Sequence, residues 1–199
     1  MRRASVRPDR IRNALLLILV AIAAPVSAAE PLVRALYGLR LGMNVAAFLA
    51  TQRAVEQNEE FQGLIPGERL FQLDRQRLPP DVANIGCRFF NDQLFKISVQ
   101  YTKEFSETGW DRLLPEATTR YGKGEVQQRA IPGPRREVKV LQDLARWEDP
   151  STVHILVQET ESSFRQQKIV HRRDVTAIYM DRALWAARGA AEEGAYSLF

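Results

Sequence analysis

VANIGCRFFNDQLFKISVQY, residues 82–101, decides the fold class of this chain. Two β-prone runs, 82–90 and 94–101, flank the polar Asn91-Asp92-Gln93, a connection of the right length for an antiparallel hairpin. In the second run Phe95, Ile97, Val99 and Tyr101 alternate with Lys96, Ser98 and Gln100, the period-two pattern of a half-buried strand. Cys87 shares its parity with Ile85 and Phe89, so it is expected to face the same core.

Both flanks supply the remaining elements. Upstream, Gly38 to Met43 reads as a short strand ending at a turn, and the Asn44 side chain can accept from the free N–H groups of a following helix. Val45, Phe48, Leu49 and Val55 recur at roughly helical spacing and predict a helix over 45–57. Gly63 and Pro66-Gly67 break the chain, 70–73 reads as a strand, and Pro79-Pro80-Asp81 marks a turn. Downstream, Trp110, Leu113, Leu114 and Ala117 form one helical face beginning near Thr108. Pro115 lacks an N–H and predicts a kink or two short pieces, and Gly122 can end the helix in a left-handed conformation. Strands are expected at 125–130, 137–147, 152–158 and 169–180, with Asp181 capping an Ala-rich helix over 183–191.

The expected fold is therefore α+β, with short helices packed on an antiparallel β-meander sheet. An internal echo accompanies it. Arg88-Phe89-Phe90-Asn91-Asp92 before Ile97 resembles Arg146-Trp147-Glu148-Asp149 before Ile155, at a constant offset of 58 residues. Either a helix-plus-meander unit is used twice, as halves 36–105 and 106–182, or two aromatic-turn-strand hairpins simply look alike. Residues 183–199 form the C-terminal helix and tail.

Charge and the N-terminus place the chain. Arg2, Arg3, Arg7, Arg10 and Arg12 precede an uncharged apolar run from Ala14 to Ala24, and Pro25 with Val26-Ser27-Ala28 supplies a breaker and small residues. This is the pattern of a Sec-type signal peptide over 1–29, cleaved after Ala28 or Ala29, which predicts a periplasmic or secreted protein. Eleven apolar residues fall short of the ~20 that span a bilayer, so no stable membrane span is expected after cleavage. The leader holds five of the 28 cationic residues and one of the 24 carboxylates, which leaves 23 of each in a single mature domain over 30–199. With no net field, nucleic acid is not an expected partner. One cysteine allows no internal disulfide.

The run Gly38-Leu39-Arg40-Leu41-Gly42-Met43-Asn44 opening a short helix, with meander strands after it, resembles small exported domains of Gram-negative envelopes. The similarity is to the β-lactamase-inhibitor-protein-like group, which includes the small lipoprotein of the outer-membrane β-barrel assembly machine. It implies short helices on an antiparallel sheet and a protein partner in the envelope. The chain departs from that group in lacking a lipid-bearing cysteine, and in having Leu49-Ala50-Thr51 where the lipoprotein often has Leu-Gly-x-Pro.

Catalytic constellations are sparse. No nucleophile elbow, phosphate loop or dinucleotide fingerprint occurs, and the paired carboxylates lie in turns or at helix ends. Cys87 with His154 or His171, and a His154–His171 metal site completed by Glu159 or Asp174, are the conceivable chemical pairs. No cofactor is expected. The candidate partner-binding residues are Trp147 and Trp185, since tryptophan dominates interface hot spots. Arg135, Arg136, Arg172 and Arg173 join them, and would form one basic patch if their strands paired. The leading expectation is a non-catalytic envelope protein that binds another protein. The alternative is a carrier of a small ligand or lipid, in an apolar cavity lined from Phe95, Ile97, Val99 and Ile155. The sequence leaves the oligomeric state open.

Overall fold

A computed structural model describes residues 30–57, 65–132, 139–165 and 168–196. The leader, Gly63, Arg135 and Arg136 lie outside them. A two-stranded ribbon, β1 (Ala35–Leu36) and β2 (Leu39–Arg40), leads into α1 (Val45–Thr51). A four-strand meander follows: β3 (Ala54–Glu56), β4 (Glu68–Leu73), β5 (Val82–Phe90) and β6 (Gln93–Tyr101). Then come α2 (Lys103–Tyr121) and a second meander, β7 (Glu125–Pro132), β8 (Lys139–Glu148), β9 (Thr152–Arg165) and β10 (Lys168–Asp181). The helix α3 (Arg182–Tyr196) closes the described chain.

The eight strands make one antiparallel sheet in the order β3-β4-β5-β6-β10-β9-β8-β7. Each half is a helix followed by four sequential strands, and the halves join through their last strands, β6 against β10. The 58-residue echo does not follow this order. Arg88 lies on the third strand of the first meander and Arg146 on the second strand of the second. The two stretches sit one strand out of step with the topology.

Both α1 and α2 lie on the same face of the sheet. Phe48 of α1 meets Phe71 and Phe89 with ring centroids 5.3 and 5.1 Å apart, and α2 adds Trp110, Leu113, Leu114 and Ala117 to the same core. Ile85, Cys87 and Phe89 are fully buried there together, as parity predicts. The Ser106 hydroxyl of α2 accepts from the Val175 N–H at 3.1 Å, just beyond the paired stretch of β10 and β6. α3 packs on the opposite face, near one end of β6 and β10.

Several predicted boundaries move for identifiable reasons. Asn44 caps α1 through Ala47 N–H at 2.7 Å, but the helix stops at Thr51 and Val55 joins the edge strand β3 instead. Pro115 does not break α2, which runs unbroken from a Thr102 cap to Gly122. Pro115 is exposed, so the carbonyl it cannot serve faces water. The hairpin turn has two residues, Asn91 and Asp92, with φ of 47° and 65°, the left-handed pair of a type I′ turn. Arg88 pairs with Lys96 while Phe89 pairs with Leu94, so Phe95 is the extra residue of a bulge. Leu94 takes its place in the helix-covered core, and Phe95 turns to the other face, 6.0 Å from the Trp185 ring of α3. Asp181 caps α3 through the Leu184 N–H at 3.0 Å, as expected. Among the described residues no helix is long and apolar enough to cross a membrane.

Candidate functional site

Register lines up one row of side chains across the helix-covered face: Cys87, Ile97, Tyr179, His154 and Trp147, from β5, β6, β10, β9 and β8 in turn. His154 stands in the middle of an aromatic run. Its ring stacks on Tyr179 at 4.4 Å and 10° and on Trp147 at 5.4 Å and 29°, and the Tyr121 ring meets it edge-on at 5.8 Å. Only 6% of the residue is exposed, yet neither ring nitrogen has a hydrogen-bond partner among the described residues. Burial pushes its pKa down to about 4, so the imidazole is neutral at pH 7, with one donor and one acceptor unused.

That imidazole lines a cavity of about 190 Å³ between α2 and the sheet. The floor is Tyr101 of β6, His154 and Leu156 of β9, and Ala177 and Tyr179 of β10; α2 provides the roof through Leu113, Ala117 and Tyr121. Val33 and Leu36 close one side. The segment carrying them is tied down at both ends. Leu32 N–H donates to the Asp149 carboxylate at 3.0 Å, and Arg34 meets Asp181 at 2.5 Å. Glu30 pairs with Arg120 at 2.6 Å, beside the rim residue Glu116. Burial raises the pKa of Tyr101 to about 12 and also raises that of Tyr179, so both phenols stay protonated. The walls thus present apolar surface, aromatic faces, hydroxyls and one neutral imidazole, with the charged Glu116 and Arg120 also in the lining.

The predicted site residues end up apart. Trp147 is 4% exposed, and its indole N–H donates to the Gly122 carbonyl at 2.9 Å, satisfying the end of α2. It is a core residue beside the cavity. Trp185 is 44% exposed, with Phe95 beneath it and the Arg188 guanidinium 5.8 Å from its ring. Adjacent on a strand, Arg172 and Arg173 point to opposite faces. Arg172 pairs with Asp174 at 3.0 Å, and Arg173 donates to the Glu107 carbonyl of α2 at 2.9 Å. They do not share a patch.

The conceivable chemical pairs also separate. Two strands lie between Cys87 and His154, which puts them ~14 Å apart, and burial raises the Cys87 thiol to about 12. His171 sits beside Ser162, eight residues along β10 from the partner of His154. No set of three metal-ligating side chains occurs among the described residues. The cavity is not lined as the sequence suggests either. Phe95 and Ile155 face the other side of the sheet, and Ile97 and Val99 belong to solid core. Tyr101, Tyr121 and Tyr179 carry no motif in the sequence. The signal for them is parity, polar-tipped aromatics at core-facing positions of strands and a helix that meet only in the folded sheet.

Comparison with known proteins yields no match: no family model fits the chain, and no curated protein or solved structure is similar to it.

Proposed function

We propose that this is an exported, non-catalytic binding protein, processed after Ala28 or Ala29, whose cavity under α2 holds one small neutral molecule bearing a planar ring. The observation that carries the reading is His154, buried in the cavity wall with both nitrogens unpartnered. A buried polar atom without a partner is costly, and native structures rarely keep one unless something else completes it. The volume of about 190 Å³ supports a ligand of one ring or a small fused pair, since a dry cavity of ~150 Å³ accommodates benzene. Stacked aromatic walls favour a flat guest, and the Tyr179 and Tyr101 hydroxyls would take its one polar group, with the buried imidazole nitrogens reached only if the ring turns in its stack. A charged guest would lose its hydration against the apolar and aromatic walls, since Arg120 is already paired with Glu30.

Calorimetric titration with phenol, indole and benzoate, read alongside the His154 ring resonances, tests this. Phenol or indole is expected to bind at one site and move those resonances, and benzoate to bind at least tenfold more weakly. Absence of any saturable shift at His154, or a high-resolution crystal structure with only water in the cavity after soaking, would contradict it.

A protein partner in the envelope is the second reading, supported by the half-exposed Trp185 on α3. In-cell crosslinking of the exported protein should capture one saturable partner that Trp185→Ala loses; capture unchanged by that substitution would remove this anchor.

A further inference from the structure

The second face of the sheet holds a groove of about 250 Å³, independent of the His154 cavity. Its floor is Gly86 in the middle of β5, where an added Cβ would meet only the Leu70 side chain at 3.9 Å. Glycine inside a strand weakens it and often marks a close approach by something else. The backbone here has ordinary extended geometry, so no turn explains the residue.

Arg88 and Lys96 stand directly opposite each other across β5 and β6, an arrangement that repels. The charge around them is only partly balanced. Glu68 pairs with Arg88 at 3.0 Å and Arg188 at 3.3 Å, and Arg188 also pairs with Glu192. Among the described residues, three cations therefore meet two carboxylates. Lys96, lining the groove, makes no hydrogen bond or ion pair with the described residues. Burial, with Arg88 and Arg188 nearby and Glu68 opposing them, lowers its pKa. Elsewhere on this face neighbours are matched: Gln142 accepts from Arg129 and donates to Glu159, both at 2.8 Å. Around Lys96 the side chains of Gln72, Asn84, Ser98, Gln100 and Thr176 line the groove and bond to no other described side chain.

We propose that this groove is a second binding site, taking a small monocarboxylate that carries hydroxyl groups, with Lys96 holding the carboxylate and the amides and hydroxyls beside it reading the rest. Lys96, the groove cation without a partner among the described residues, sets the charge of the ligand. A doubly charged phosphate or sulfate would leave one charge unmatched near Glu68.

The test is calorimetry of the purified protein with gluconate, acetate, glucose and sulfate, together with a pH titration of the Lys96 side-chain resonances. Gluconate is expected to bind one per chain and at least tenfold tighter than acetate, glucose or sulfate, and to move the Lys96 titration to higher pH. Lys96→Gln should weaken gluconate at least tenfold. Gly86→Val should do the same by filling the floor, with unfolding temperature held or raised, so the test does not rest on one variant's folding. No saturable gluconate binding, binding indifferent to both substitutions, or sulfate binding as tightly as gluconate would overturn the assignment.

Discussion

Two buried polar groups sit on opposite faces of the same sheet and are treated in opposite ways. Glu68 is 1% exposed and takes Arg88 and Arg188 as partners, with the Ile65 N–H at 3.4 Å. His154 is 6% exposed and takes none among the described residues. Glu68 joins α3 to the sheet, so its burial is structural and complete. Nothing in the fold requires His154 to be polar: its contacts are the faces and edges of three aromatic rings. A phenyl ring would serve the packing as well. The contrast sets the unsatisfied group beside a cavity, where the proposed ligand would sit.

Removing the Glu68 charge is the largest way to probe that contrast. Glu68→Gln leaves Arg88 and Arg188 facing a neutral amide, with Glu192 still paired to Arg188, and is expected to cost about 3 kcal/mol in urea unfolding. A loss below 1 kcal/mol would mean the pairing is dispensable and the contrast false.

The second probe is pH. His154 has a folded pKa of about 4 against an ordinary value of 6.5, so on acidification the unfolded chain takes up its proton first. Its contribution to stability is intact above pH 6.5 and falls by roughly 3 kcal/mol as pH drops to 4. Unfolding free energies of the wild type minus those of His154→Phe, measured across that window, should show this slope. A flat difference would mean the imidazole is hydrated or partnered in solution.

How far this could be read in advance depended on the range of the interaction. The 82–101 hairpin, the Asn44 cap and the Asp181 cap were legible because each is settled by residues within a few positions of one another. The early end of α1 was not, because Val55 leaves the helical pattern to pair with Gln72 across the β3–β4 edge. Pro115 misled for a related reason: its penalty depends on whether the orphaned carbonyl is buried, which only packing decides. The bulge at Phe95 reverses one side chain and escapes any alternation rule. His154 was visible as a residue facing away from Val153 and Ile155. Its partners were not, since β10 and β8 reach β9 through meander pairings and Tyr121 arrives from α2. The cavity exists only at that meeting.

The most direct measurement is the unfolding free energy of His154→Phe at pH 7. The substitution keeps a flat ring among Trp147, Tyr179 and Tyr121 and removes two buried atoms that lack partners. If the imidazole is held for a ligand and not for the fold, the variant is more stable than the wild type by about 1–3 kcal/mol and no longer binds phenol or indole. A variant less stable than the wild type would show that His154 is satisfied within the fold, and would contradict the account.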